Sequence, residues 1–207
     1  MSIYYYVKKR EKKVVFATTH TRYTKAMSIR KIHHRRLHLP MGANNFIAAF
    51  EGIEGGFAIA AGVLAGLSFA ELDRSIFVTV AVISVIVNGF NAASVKYSTE
   101  HYLDELDGRE KHSRLRHYFL PAFIQFLSYT AVSILAILPI FVLDNIPYAI
   151  VYSCIVTILI LLLAGAWRAH LLGMPRIRDG IETALLGTGI IFVGLASGWI
   201  VHIVIGA

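Results

Sequence analysis

The chain has 207 residues, 56% of them hydrophobic and 16% charged, with a mean hydropathy of +0.61. A soluble domain of this length must dress its surface with polar groups and rarely reaches such values, so the composition excludes an ordinary soluble fold. The formal charge of +7 is unevenly placed: residues 1–40 hold eleven Lys or Arg against one acid, Glu11, which makes that segment about +10 and the rest about −3.

A basic tail ahead of membrane spans is an orientation signal and a contact for anionic headgroups. Membrane lipids, and not nucleic acid, are therefore the expected partner of these cations. No short charged region leads directly into an apolar stretch, so a cleaved secretory signal is not expected. Residues 1–40 read as a basic cytosolic or interfacial segment, with an aromatic cluster at Tyr4–Tyr6 and an interfacial helix over KAMSIRKIHHRRLH. His34 and His38 stand four apart, but Arg35 and Arg36 beside them would repel a metal cation, which favours the interfacial reading.

Residues 41–207 read as an all-α integral membrane domain of five transmembrane helices. The first span covers about 42–69, followed by a short polar turn, and the second about 76–97. The stretch 98–118 is charged and amphipathic, and predicts a cytosolic extension of span two, a break near Gly108 and a return. The third span covers about 119–143, with Pro121 near its start and Pro139 near its end; Asp144, Asn145 and Pro147 form a tight turn. The fourth span covers about 148–167, WRAHLLGMPRIRDG is a basic loop, and the fifth span covers about 181–205. The loops at 98–118 and 167–180 hold Arg109, Lys111, Arg114, Arg116, Arg168, Arg176 and Arg178, whereas the opposite loops hold only Arg74. The positive-inside rule then places the N-terminus in the cytosol and the C-terminus on the opposite side. Cys154 is alone in an apolar run and reads as a small buried hydrophobe.

Polar groups inside a bilayer are the informative ones. Span one carries Asn44, Asn45, Glu51 and Glu54; span two carries Asn88, Asn91, Ser94 and Lys96. Glu51 and Glu54 are three apart and project from roughly one helix face, among Gly52, Gly55, Gly56, Gly62 and Gly66. A thin, glycine-lined helix bearing two acids is what a cation pathway needs. No helix-end or snorkelling argument explains Glu51, while Glu54 could instead be held neutral. Asn88 and Asn91 suit either a pathway or interhelical hydrogen bonding. Lys96 reads as snorkelling to the cytosolic interface, Glu182 as complementing the dipole of span five's first turn, and His202 as a wet residue near the outer interface. Span four is almost purely apolar and reads as lipid-facing or a buttress. GxxxG spacings at Gly52/Gly56, Gly62/Gly66 and Gly194/Gly198 predict close helix crossings, within or between subunits. In 98–118, His101 with Glu105 and Glu100 with Asp104 have metal-ligand spacing. The competing reading is a solvated helix with ion pairs at Glu105–Arg109, Asp107–Lys111 and Glu110–Arg114. The spans hold no Ser/His, paired-Asp or His-Glu-x-x-His arrangement, so an enzyme is not expected.

The ordered series FEGIEGGFAIAAGV, NGFNAASVKYSTEHYLDEL, Leu138-Pro139, Gly165/Arg168/Gly173 and LLGTGIIFVGLASG resembles the vacuolar iron transporter family, including its nodulin-like members. The resemblance covers about residues 40–206 and makes this a divergent member. It implies a homodimer whose first two spans line a path for Fe²⁺ or Mn²⁺. The metal would be a transported substrate and not a permanently bound cofactor, exported from the cytosol in exchange for protons. Glu51-Gly52 stand where the family has Asp-Gly, so Glu51 takes the pathway carboxylate, with Glu54, Asn88 and Asn91 as secondary metal-contacting groups. The implied location is a cell membrane in a prokaryote or a vacuolar membrane in a eukaryote. Two departures mark the chain. Ala92 and Val95-Lys96 replace the family's Met and Gly-Glu pair, putting a lysine where an acid is expected. In addition, 98–118 is too short for the acidic metal-binding insert of the iron-type members. The alternative from another class is a non-transporting scaffold or assembly protein of the same fold.

Overall fold

Each helix of the bundle begins and ends where the local chemistry requires. The computed structural model describes residues 41–70, 72–108 and 113–205, and the basic N-terminal segment with its histidine pair lies outside these. Helix α1 spans Ala43–Leu67, entered through Gly42 at a φ of +78°, a left-handed conformation that glycine adopts freely. It closes on Ser68, whose hydroxyl donates to the Ala65 carbonyl at 2.6 Å. Helix α2 spans Arg74–Leu106. Its 33 residues make about 50 Å of helix, well beyond the ~30 Å hydrocarbon core, so the expected extension past span two is continuous with the span. The break falls at Gly108, with φ +65°.

The chain re-enters through a π-helical turn, Leu115–Phe119, that runs into α3, Leu120–Val142. Pro121 explains the irregularity. It has no N–H to give the His117 carbonyl four residues back, and that carbonyl instead accepts from the Asn44 amide at 3.4 Å. After an extended Leu143, Asn145 caps α4, Ile146–Leu172, by accepting from the Tyr148 N–H at 3.3 Å. Asn145→Ala should lower stability by about 1 kcal/mol, the usual value of such a cap, read as a small fall in melting temperature in detergent. Gly173, at φ +71°, ends α4 with the Met174 N–H reaching back to the Ala169 carbonyl at 2.8 Å. Helix α5 spans Arg176–Ile205.

All five helices are long and apolar enough to cross a membrane, and no strand occurs among the described residues. The expected five-span, all-α class therefore holds. The helices overrun the expected spans on the side of the charged loops: α4 continues to Leu172 and α5 begins at Arg176, so most of the expected basic loop at 167–180 is helical.

Helix α1 is the centre of the bundle, packed on α3 along one side and α5 along the other, with α4 behind and α2 resting chiefly on α3. The glycines set these contacts. A Cβ at Gly56 would lie 2.5 Å from the Tyr129 carbonyl oxygen and 2.5 Å from Val132 of α3. At the other end, Gly62 and Gly66 of α1 face Gly194 and Gly198 of α5 backbone to backbone. The GxxxG crossings are thus made within one chain, Gly52/Gly56 against α3 and Gly62/Gly66 against Gly194/Gly198 of α5. Buried Phe57, Leu64, Phe77, Val85, Tyr129, Ile137, Ile140 and Leu161 fill the remaining core. Two of its polar members are satisfied across helices: Ser133 donates to the Gly56 carbonyl at 2.9 Å and Ser153 to the Ala136 carbonyl at 2.6 Å.

Candidate functional site

The two acids of α1 sit three residues apart yet belong to different charge groups. Glu51 meets Lys96 of α2, whose ammonium lies 2.9 Å from Oε2 and 3.1 Å from Oε1. The same ammonium lies 3.0 Å from Glu100, one turn further along α2, and Glu100 Oε2 accepts from the Asn44 amide at 2.8 Å. Two carboxylates, one ammonium and one amide therefore gather where α1, α2 and the π-helical turn meet. At formal charges the group sums to −1.

Glu54 meets Arg168 of α4 instead, at 2.6 and 2.8 Å from its two carboxylate oxygens. The guanidinium also donates to Asp179 of α5 at 3.1 and 3.2 Å, and approaches the Thr183 hydroxyl at 3.5 Å. This second group ties three helices together. Gly165 and Gly180 make room for it: a Cβ at Gly165 would lie 2.6 Å from Thr183 Oγ1, and one at Gly180 would lie 2.7 Å from the Leu162 carbonyl.

The groups differ in exposure. The side chain of Glu51 is 41% exposed, whereas those of Glu54, Arg168 and Asp179 are 22%, 28% and 12% exposed. The guanidinium is planar and always charged, and it grips Glu54 through both carboxylate oxygens. The Lys96 ammonium is a compact point charge on a flexible stem. Glu51 is consequently the more accessible of the two acids, and Glu54 the more enclosed.

Several expectations change with this geometry. Lys96 does not snorkel to the interface. Its side chain is only 13% exposed and turns inward, drawn by two carboxylates. The lysine in place of an acid therefore does not stand opposed to an open cation site but compensates Glu51 directly. Asn88 is half-buried and Asn91 exposed, two turns and somewhat over one turn from Lys96, and no hydrogen bond or ion pair among the described residues joins either to Glu51 or Glu54. Glu182 is exposed in the second turn of α5, and Asp179 is the first-turn acid. His202 is half-buried beside Phe69, with ring centroids 6.4 Å apart. In the former loop, Glu100 is engaged by Lys96 and Asn44, and Asp104 accepts from Tyr118 at 3.0 Å. Among the described residues no three His, Cys, Asp or Glu side chains gather as a metal site would need. Residues 109–112, which carry one member of each expected loop ion pair, lie outside the described residues.

Arg168, Asp179 and Glu100 are the members of these groups that sequence reasoning assigned to loops. A signal for them existed. Gly165, Arg168, Ala169 and Leu172 continue the α4 face at helical spacing, and Asp179 and Thr183 are four apart on α5. Tyr129 is a further feature. Its ring wedges between α1 and α2, where a Cβ would lie 3.4 Å away from it at Gly55 and 2.8 Å away at Gly89. Its hydroxyl and the Gln125 Oε1 one turn earlier are buried with no hydrogen-bond partner among the described residues.

The fold and these groups define a five-helix integral membrane protein whose central helix carries two acid–base networks in its N-terminal half. Residues 98–199 match the model of the VIT family, in agreement with the resemblance read from the sequence. The match suggests membrane transport of metal ions in general. The match begins in the overhang of α2 and ends near the close of α5, and so includes Glu100, Arg168 and Asp179. No curated protein matches the chain.

Proposed function

We propose that this chain moves a divalent cation, Fe²⁺ or Mn²⁺, across its membrane, out of the cytosol and in exchange for protons. The observation that carries the reading is Glu51: a carboxylate within a span, 41% exposed, in a group whose formal charge remains −1 after its lysine is counted. A buried acid kept only for packing would be enclosed and fully compensated. Hard divalent cations take oxygen ligands. Beyond the Glu51 and Glu100 carboxylates, the buried, unpartnered Tyr129 hydroxyl and Gln125 Oε1 on α3 are further oxygen donors, with Asn88 as a secondary group on α2. Glu54 serves the path indirectly by fixing α1 to α4 and α5. A homodimer with cytosolic N-termini in contact with anionic lipid completes the proposal.

The test is flux into proteoliposomes loaded with a metal-sensitive dye. Wild-type protein should carry Mn²⁺ or Fe²⁺, and Glu51→Ala should lower the rate by about tenfold or more, the order of loss when a carboxylate supporting a metal site is removed. Equal rates would sink the assignment of Glu51. The full set of ion pairs around both acids favours one second reading, a non-transporting scaffold of the same fold. That reading requires no flux in the wild type and no metal-dependent stabilisation.

A further inference from the structure

The Lys96 ammonium lies 2.9 Å from one glutamate and 3.0 Å from another, on two different helices. A cation bridging two carboxylates is what a metal pathway presents, except that here it is covalently attached to the protein. We propose that Lys96 is a tethered cation: its ammonium holds the place between Glu51 and Glu100 that a free divalent cation occupies in passing, and swings aside to admit one. This rests on the pathway reading for Glu51, but it concerns Lys96 and Glu100 and has its own readout.

Three observations carry it. The charge balance is the first. The two carboxylates and the ammonium sum to −1, whereas the same carboxylates with a divalent cation sum to zero, so exchange relieves an excess charge in a poorly solvated place. Mobility is the second. A lysine offers a four-carbon stem with rotatable bonds and a compact head, in contrast to the planar guanidinium of Arg168 nearby, held at once by Glu54 through Nη1 and by Asp179 through Nε and Nη2. Access is the third. Glu51 is 41% exposed while Lys96 is 13% exposed, so a cation reaches the acid from outside without first crossing the lysine stem. Glu100 is in turn held by the Asn44 amide at 2.8 Å, which keeps the second carboxylate in place when the ammonium leaves. Only two carboxylates meet here, so a cation is held weakly, as passage requires.

The experiment titrates MnCl₂ into the purified full-length chain in detergent and reads calorimetric binding and the rise in melting temperature. Lys96→Met should bind Mn²⁺ at least about tenfold more tightly than wild type, because a competing unit charge about 3 Å from both carboxylates has been removed. Lys96→Arg, which retains a cation, should show no gain, and Lys96→Met with Glu100→Gln should lose it. Lys96→Gln provides the same comparison if the methionine variant is recovered unfolded. A charge-free variant that binds no more tightly than wild type overturns the tether, as does a gain that survives Glu100→Gln. Mn²⁺ flux on the same samples separates the two ideas. Tighter binding without flux in either protein upholds the tether and sinks the transport reading. Wild-type flux with no gain in binding sinks the tether alone.

Discussion

Gly194→Leu is expected to be recovered misassembled or not at all, and Gly194→Ala to melt about 5–10 °C below wild type in detergent. A Cβ at Gly194 would collide with the Gly62 carbonyl oxygen, and one at Gly198 with the Gly66 carbonyl oxygen. Both obstacles are backbone, so no rotamer change relieves them and the helices must separate. Each added methylene in a packed interior costs roughly 1–3 kcal/mol, and in a protein of this size 1 kcal/mol corresponds to about 2–4 °C. Without hydrophobic drive between helices in lipid, close backbone packing of this kind is a main source of association, so separation also forfeits the α1–α5 contact. Gly189, on the same helix, meets nothing within 4 Å. Gly189→Ala should therefore leave the melting temperature unchanged or slightly higher, as helix propensity favours alanine by up to about 1 kcal/mol. The comparison is made by size-exclusion profile and thermal melt. Equal behaviour of Gly189→Ala and Gly194→Ala would show that the α1–α5 crossing is looser than the geometry here.

What the sequence made legible is what local pattern encodes. Apolar runs of span length, the punctuation at Gly108, Asn145 and Gly173, and the small-residue spacings gave five helices and close crossings. The partners of those crossings were not encoded locally: Gly62 and Gly66 could have met another subunit as well as Gly194 and Gly198. The charges misled for a related reason. Local pattern relates Lys96 to a nearby interface and Arg168 to the end of an apolar run, whereas they answer to acids 45 and 114 residues away in sequence. Helix overhang mattered too. Once α2 and α4 continue past the hydrocarbon core, residues that pattern assigns to loops become helical and face inward. The resemblance of Glu51-Gly52 to an acid-Gly pair located the acid, but nothing in that motif announced its lysine.

Arg168 offers the sharpest distinction between an acid held for structure and one held for exchange. Arg168→Met should cost about 2–4 kcal/mol, read as a lower melting temperature and earlier proteolysis near α4. It leaves Glu54 and Asp179, at 22% and 12% side-chain exposure, with their shared cation gone. Removing one partner of a fully buried pair costs about 3–5 kcal/mol, and partial solvation here reduces that. The cost is mostly that of stranded charge and not the net worth of the pair, so removing the charges together should restore stability. The triple variant Arg168→Met, Glu54→Gln, Asp179→Asn is accordingly expected to recover most of the loss. Lys96→Met should cost less than Arg168→Met, because Glu51, with a 41% exposed side chain, is less enclosed than Glu54 and Asp179. A single Arg168→Met variant as stable as wild type would mean that the three-helix clamp contributes nothing. Failure of the triple variant to recover would mean that the guanidinium acts through its shape and hydrogen bonds to α5 and not through charge.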